Sequence, residues 1–351
     1  MPINDLSIIE HNDRFLDMLE KNAADLRDAG RNFIKTELQE SAFSRAIVPQ
    51  QPITTSDCQT NVNDDSLYVI RDIEPDAEAV SVDNVGEPDG KYIVGKRYII
   101  PIINFATKRF QITVEDLRAY RYKVTKRIED KTVPVLEELE DRLFMRLSGA
   151  SLVTNSLGAT SKKIVKGTNA TGADGLFLHE KDFVNIKNTL AAGINGADSK
   201  RKEVGCVLMT QETYNTAVSL PNAGDDFGKD RVLNGIVSEV LYGTKVITTI
   251  KSNILPVGHI WAYTTPDFLG HNFSLGDPSF EIKKEFNLIE WQARESIGLG
   301  IGNALSVALL AMADSKAPGT DTALNVTTDG TVPANIANYY DAIRLATKGA
   351  R

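Results

Sequence analysis

The sequence predicts an α+β fold in which helices and strands occupy separate stretches of the chain. Two helical patterns carry this prediction, because residues 4–45 and residues 114–149 both place apolar side chains at three- and four-residue steps. Between them, residues 66–103 have the apolar runs and turn residues of paired strands. From residue 176 onward, short helical and strand patterns alternate, which is typical of an α/β region.

The composition limits the class of protein. The 351 residues predict about two domains, and 39 Lys and Arg against 47 Asp and Glu give a net charge of −8. This charge disfavours a protein whose main task is binding nucleic-acid phosphates.

The two cysteines, Cys58 and Cys206, are too few for a disulfide scaffold and indicate reduced thiols. The N-terminus lacks a signal-peptide pattern, and the longest apolar stretch, residues 304–313, is shorter than the ~20 residues of a membrane span, so we expect a soluble intracellular product.

The first helical pattern is amphipathic. Its apolar stripe contains Ile9, Leu16, Leu19, Ala23, Leu26 and Phe33. Because the opposite face is charged, the stripe fits either a partner surface or the core of its own domain, and periodicity does not choose between them. Pro49, Pro52 and the polar residues 54–65 end the pattern and predict a linker.

Residues 66–103 predict a long β-hairpin. Apolar residues cluster around Tyr68 to Ile73 and again around Tyr98 to Ile100, while residues 83–90 are rich in Asp, Asn, Gly and Pro. A hairpin with no core of its own is marginally stable in water. We therefore expect it to rest on another part of the protein or on another molecule.

The second helical pattern, residues 114–149, predicts an unusually long helix. Thr113 is a suitable N-cap, and Gly149 is well placed to end the helix. Its charges are unevenly distributed, with basic residues such as Arg121 and Arg127 first and acidic residues from Glu137 onward. This pattern fits either a solvated face with intrahelical pairs or pairing of opposite ends between neighbouring copies.

The rest of the chain predicts shorter elements. Residues 151–175 are rich in Ser, Thr and Gly and predict a loop or weak hairpin. We expect helices around residues 183–190 and 232–241 and strands at residues 204–209, 245–250, 260–263, 280–288 and from 295 onward. The polar tail from residue 317, faintly amphipathic between residues 336 and 345, predicts a small appendage.

No motif predicts a catalytic, cofactor or metal site. Residues 90–97 have Walker A spacing, but Arg97 replaces the Ser or Thr that binds magnesium, and a strand pattern follows instead of a helix. Gly298, Gly300 and Gly302 lack the dinucleotide fingerprint spacing and predict a close approach of backbones in a sheet. The four histidines lack metal-ligand spacing, and no serine-nucleophile elbow is present.

The order of the predicted parts resembles the major capsid proteins of tailed bacteriophages, whose fold is named after the Hong Kong 97 phage. Three stretches carry the resemblance. Residues 33–55 are similar to the end of a capsid N-terminal arm, and residues 114–149, ending in Glu140-Asp141-Arg142-Leu143-Phe144, are similar to the spine helix. Residues 243–248, followed by Leu275-Gly276-Asp277, resemble the segments that leave the axial domain and re-enter the peripheral domain.

The resemblance implies a division of the chain. Its parts would be an N-terminal arm and linker (1–65), an extended β-hairpin loop (66–103), a peripheral domain (104–175 and 267–314) with spine helix 114–149, an axial α/β domain (176–266) and a C-terminal extension (315–351). In this family the hairpin reaches over the adjacent subunit.

The implied function is that of a structural protein without enzymatic activity or cofactor. It would assemble through a procapsid, in the host cytoplasm, into hexamers and pentamers of an icosahedral virion capsid around double-stranded DNA. The implied partners are a portal protein, a separate scaffolding protein and non-specifically contacted DNA, with a decoration protein as a further candidate and no membrane. The expected inter-subunit contact residues are Lys91, Lys96, Arg97, Arg121, Arg127, Glu137, Glu138 and Asp141.

Two other functions stay open on the sequence. An encapsulin-like compartment shares the implied fold but encloses an enzyme instead of a genome. The long N-terminal arm and C-terminal tail argue against this function. A cytosolic α/β enzyme with an unrecognised site is the alternative from a different class of protein.

Overall fold

The structure is a computed structural model. It describes residues 3–21, 24–29, 31–32, 42–60, 66–73, 96–119, 124–156, 163–167, 180–191, 203–218, 240–241, 243–312, 315–318, 324 and 334–342. Its helices are α1 (Ile3–Lys21), α2 (Phe43–Ile47), α3 (Val114–Ala119), α4 (Val124–Ser156), α5 (Glu180–Ala191), α6 (Gln211–Val218), α7 (Pro266–Leu269) and α8 (Ala334–Ala342). Residues 24–29 and 31–32 are also helical. None of the described helices is long and apolar enough to cross a membrane.

The strands form three sheets. In chain order they are β1 (Gln50–Ile53), β2 (Gln59–Thr60), β3 (Leu67–Ile73), β4 (Lys96–Pro101), β5 (Ile103–Ala106), β6 (Phe110–Thr113), β7 (Ile164–Lys166), β8 (Val204–Thr210), β9 (Val240–Leu241), β10 (Thr244–Thr249), β11 (His259–Thr264), β12 (Gly270–Leu275), β13 (Ser279–Glu285), β14 (Leu288–Ile301) and β15 (Val307–Ala311). The first sheet has the order β1-β12-β14-β13, with β5 and β6 also paired to β14. The second has the order β7-β15-β11-β8-β10-β9, and the third is β2-β3-β4.

The first sheet is organised by β14. Alternate side chains along this strand are buried, among them Ile289, Trp291 and Ile297, so one face of the strand lies on the core. The outer strand β1 comes from residues for which the sequence predicts a linker, and it pairs in parallel with β12. That prediction is wrong because Pro52, which lacks an N–H, is tolerated in an outer strand.

The second sheet is covered on both faces. Every residue of β11 and of β15 is buried, as expected of central strands between two helical layers. Phe183 of α5 packs on one face, and Phe144 of α4 packs on the other, 5.2 Å from Tyr263 between ring centroids. Strands β7 and β15 join this sheet, although both lie outside residues 176–266. Of the helix expected at residues 232–241, residues 232–239 lie outside the described part and the last two form β9.

The long helical pattern divides into α3 and α4, with residues 120–123 outside the described part. Helix α4 continues past Gly149 to Ser156, so the predicted end at Gly149 is wrong. A Cβ at this position would lie 2.5 Å from Cβ of Tyr340 in α8. The glycine therefore permits helix contact, despite a cost of about 1 kcal/mol inside a helix.

Helix α1 packs on its own subunit. Phe15, Leu16 and Leu19 are buried, and the Phe15 ring stacks on Trp291 at a centroid distance of 6.4 Å. Asn12 Nδ2 donates a hydrogen bond to the Leu117 carbonyl oxygen at 3.2 Å. The apolar stripe of α1 therefore packs in the core of its own chain, which is one of the two alternatives that the sequence left open.

The described C-terminal residues pack in the core, so the prediction of a small appendage is wrong for them. Leu324, Ile336 and Tyr340 are buried. His259 Nε2 lies 3.0 Å from the Leu324 carbonyl oxygen, which only accepts, so this nitrogen carries the proton. Nδ1 of the same ring then accepts from the Tyr340 hydroxyl at 2.7 Å, and Trp261 Nε1 donates to that hydroxyl at 3.2 Å. Burial lowers the pKa of His259 to about 4, which keeps the ring neutral.

Candidate assembly surfaces

The base of the predicted hairpin rests on the first sheet. Strands β3 and β4 are antiparallel, with Val69 opposite Ile100 and Ile70 opposite Ile99. Val69 and Ile100 are buried in a cluster with Phe273 of β12. The hairpin pairing and the expectation that it rests on another part of the protein are confirmed for this base. Its tip, residues 74–95, lies outside the described residues.

A row of glycines on β14 and just beyond it receives the hairpin. A Cβ at Gly300 would lie 2.6 Å from Cγ1 of Ile100, and a Cβ at Gly302 would lie 2.6 Å from Cζ of Tyr98. Such distances are well inside van der Waals contact, so β4 crosses β14 at this closeness only over residues without side chains. The sequence predicts a close approach of backbones at these glycines, whereas at Gly300 and Gly302 the space is filled by side chains of β4.

The outer face of the hairpin base carries apolar side chains. Ile99 is 63% exposed, and its cross-strand neighbour Ile70 is half-buried. Beside them, Arg97 Nε bonds Asp72 Oδ1 at 2.8 Å, with both side chains largely in solvent. Ile99 is the one large apolar side chain that the described residues of the hairpin base expose.

The segment around α2 is held by a buried ion cluster. Arg45 Nε lies 2.8 Å from Glu140 Oε2 of α4, and Arg45 Nη2 lies 2.6 Å from Glu295 Oε1 of β14. Asn272 Nδ2 donates to the other oxygen of Glu140 at 3.1 Å. Burial lowers the pKa of Arg45, but the adjacent carboxylates outweigh it and the net pKa is raised. The guanidinium therefore stays charged and joins α2, α4 and β14.

A second cation, Lys251, lies beside this cluster. Its Nζ contacts both Glu137 and Asp141, while the Ser44 backbone N–H donates to Asp141 Oδ1 at 3.0 Å. Burial raises the pKa of Asp141 to about 7, against the opposing charge of Lys251. Glu137 and Asp141 are thus bound inside the subunit. Their expected contact with a neighbouring copy stays a prediction.

The other predicted contact residues divide into two groups. Glu138 lies on the outer side of α4, where Arg142 Nη2 bonds it at 2.6 Å and Asn253 Nδ2 donates to it at 2.9 Å. Arg97 is exposed, as described above. The remaining predictions concern residues or side chains outside the described part and stay predictions: Lys91, Lys96, Arg121 and Arg127.

Sequence reasoning missed Arg45, Lys251 and Glu295. A local signal existed for Glu295, because it occupies a buried register position of β14 between Ala293 and Ile297. A carboxylate in an apolar alternation indicates a buried partner. No local signal existed for Arg45 or Lys251, since each bonds residues at least 95 positions away.

No group of three or more His, Cys, Asp or Glu among the described residues could hold a metal ion. Cys58 and Cys206 are free thiols. In the Walker-like stretch, Lys96 and Arg97 begin strand β4, so no helix N-terminus follows that could bind a phosphate.

Several solved capsid structures are similar to this chain. The capsid of Ralstonia phage GP4 matches with a TM-score of 0.53 at 10% identity, over 80% of this chain and 92% of that chain. The capsid of cyanophage P-SCSP1u matches with a TM-score of 0.50 at 11% identity, over 77% and 88%. The capsid of cyanophage Pam1 matches with a TM-score of 0.50 at 10% identity, over 74% and 87%. No protein-family model and no curated protein matches the sequence.

Identities this low establish the fold and nothing finer. The chain adopts the α+β fold of Hong Kong 97-type capsid proteins, which confirms the fold predicted from the order of arm, hairpin, long helix and α/β region.

Proposed function

We propose that this chain is a major capsid protein that assembles into the hexamers and pentamers of an icosahedral shell, enclosing the double-stranded DNA of a tailed bacteriophage. One observation carries the proposal: the capsid of Ralstonia phage GP4 shares its fold over 80% of the chain. The proposed location is the virion, after assembly in the host cytoplasm.

In this proposal the hairpin is the extended loop. Its base is fixed on the glycine row of β14, so the loop would leave the subunit at a defined angle and reach a neighbouring copy. Ile99 and Ile70 would then be buried in the assembled shell, which accounts for their exposure in the single subunit. Helix α1 and the hairpin base already bury apolar surface within the subunit, so the subunit should fold before it assembles.

The net charge of −8 suits a container wall. A wall that neutralised many phosphates would bind the genome tightly and oppose its release, whereas an acidic protein contacts DNA only weakly. The portal protein, the scaffolding protein and a decoration protein are proposed partners on the strength of the fold likeness alone.

The direct experiment is negative-stain microscopy of the full chain after expression and gradient sedimentation. We expect closed shells of uniform size. A chain that stays monomeric or forms only small oligomers under all assembly conditions would contradict the proposal. Shells isolated from the natural source should contain DNA, and a cargo enzyme in its place would favour the encapsulin-like compartment.

A variant tests the hairpin. Ile99→Asp should lower shell yield while the circular dichroism spectrum of the subunit is unchanged, because Ile99 is 63% exposed before assembly. Ile99→Val keeps an apolar β-branched side chain and serves as the matched control. Equal shell yields from both variants would mean that this face is not a contact. Replacing Arg121 and Arg127 with Glu tests the basic stretch of the long helix in the same assay.

A further inference from the structure

The turn between β13 and β14 has an unusual residue at its tip. Glu285 pairs with Leu288, so Phe286 and Asn287 form a two-residue hairpin loop. Phe286 has a φ of 50°, the only positive φ of a non-glycine residue in the described part of the chain. Its side chain is 102% exposed, more than any other large apolar side chain described.

Both features are unfavourable in an isolated subunit. A left-handed backbone conformation crowds the Cβ of an L-residue, and two-residue hairpin loops strongly favour Gly or Asn at such a position. A fully exposed Phe ring also gains nothing from burial. Strain held at one residue indicates a function there when the surrounding structure fixes it. Here the Val114 N–H donates to the Asn287 carbonyl oxygen at 2.9 Å, which anchors the turn.

The surface around the ring carries both signs of charge. Lys283 bonds Glu285, and Lys283 also lies directly opposite Glu290 in the strand register. Arg109 Nη1 lies 3.6 Å from Glu290 Oε2 and acts on both Lys283 and Glu285 through space. All four side chains are exposed or partly exposed, and their formal charges sum to zero. We call them, together with Phe286, the tip patch.

A mixed-charge surface around an apolar centre fits a copy of itself. When two such patches meet about a symmetry axis, the Lys of one can face the Glu of the other, so attraction is satisfied in both directions. Nucleic acid would require an excess of basic residues, and a partner of one charge sign would be repelled by half of the patch.

We propose that the tip patch is a contact between copies of this chain, with Phe286 as its buried centre and Lys283, Glu285, Arg109 and Glu290 as its pairing rim. The inference rests on the proposed function as a shell subunit and names the partner of one of its surfaces. This contact is separate from the hairpin base, because the tip patch lies at the turn between β13 and β14.

The test uses Phe286→Gly in the full chain. Glycine accepts the positive φ, so subunit stability in chemical denaturation should be unchanged or higher. The subunit concentration needed for half-maximal assembly should rise about tenfold, since burial of one Phe side chain contributes roughly a power of ten to an association constant. Phe286→Tyr keeps the ring and should assemble like wild type. If Phe286 had only a structural role, Phe286→Gly would not weaken assembly while leaving subunit stability unchanged or higher.

The charge rim is tested by exchange. Lys283→Glu and Glu285→Lys should each weaken assembly, because like charges then face each other, and the double variant should recover it. If wild type forms shells and Phe286→Gly forms them equally well at the same concentration, the tip patch is not a copy-to-copy contact. If the variant assembles normally but its shells no longer bind a second protein, that protein is the partner of the tip patch. The inference of a contact between copies is then wrong. If wild type itself forms no shells, the proposed function fails first.

Discussion

Arg45 and Glu295 are 250 positions apart in the chain, yet Nη2 of the guanidinium lies 2.6 Å from Oε1 of the carboxylate with both side chains buried. Glu140 shares the same guanidinium from α4. One cation thus serves two carboxylates in a site that water does not reach. This one side chain therefore joins α2 to both α4 and β14.

Replacing Arg45 with Met should destabilise the subunit by about 3–5 kcal/mol, because Glu140 and Glu295 would be left buried without a cation. Chemical denaturation measures this loss. Arg97→Met is the matched control, since its partner Asp72 is exposed and such surface pairs contribute about 1 kcal/mol or less. Similar losses in both variants would contradict the importance of burial.

The same cluster allows a recovery experiment. A triple variant with Arg45→Met, Glu140→Leu and Glu295→Leu removes the uncompensated charges and should regain most of the stability that Arg45→Met loses. No recovery in the triple variant would mean that packing of the guanidinium, and not charge, holds α2 in place.

The pKa of about 7 at Asp141 predicts a specific dependence of stability on pH. The folded subunit retains a proton on this carboxyl that the unfolded chain releases near its ordinary pKa of 3.8. The free energy of unfolding should therefore fall as pH rises from about 4 to 7, by up to about 1.4 kcal/mol per pH unit from this group. Asp141→Asn should remove that contribution, as measured by denaturation at pH 5 and pH 8.

Lys251 keeps Glu137 as a partner in the Asn variant, so the cation is not stranded. We expect the Asp141→Asn subunit to gain stability relative to wild type as pH rises. Parallel pH profiles for the two proteins would show that Asp141 is ionised throughout this range.

The glycine row predicts a size limit at Gly300. Gly300→Ala should cost about 1–3 kcal/mol, because its Cβ would lie 2.6 Å from Cγ1 of Ile100. Adding Ile100→Ala creates the missing space, so the double variant should lose less than the sum of the two single losses. A double-mutant cycle measures this coupling. Additive losses would mean that the two residues do not compete for one space.

The hydroxyls of Tyr340 and Tyr339, neighbours in α8, should contribute differently to the stability of the subunit. Tyr340→Phe leaves His259 Nδ1 and Trp261 Nε1 without their shared hydroxyl and should cost about 1–3 kcal/mol. Tyr339→Phe is the control, because its hydroxyl makes only long bonds of 3.4 and 3.3 Å to carbonyl oxygens. Denaturation of the two variants measures the difference. Equal stability would contradict the buried network.

Local patterns predicted the parts of the fold that depend on periodicity. The pairing of β3 with β4, the buried strand β8 and the body of α4 each follow from apolar spacing within a few residues. Gly149 and residues 50–53 were misjudged because a glycine or proline has the same local signal whether it ends an element or serves a tertiary contact. In both cases the deciding partner, Tyr340 or β12, lies far away in the chain.

The candidate surfaces were less predictable. Charge order along α4 gave no sign of Lys251, which lies more than 100 positions away and binds both Glu137 and Asp141. Phe286 gave no signal in the sequence, since its exposure and its positive φ exist only once β13 and β14 pair. Residues whose role depends on distant partners are not found by spacing alone.

Pro52 has a consequence for how the protein behaves at high concentration. An outer strand with free N–H groups can recruit strands from other chains into irregular aggregates. Pro52 deprives the outer strand β1 of one such donor, so sheet extension from this side is slowed. At high concentrations of the chain, the missing donor disfavours aggregation by strand addition. More of the protein therefore stays available for association through side chains.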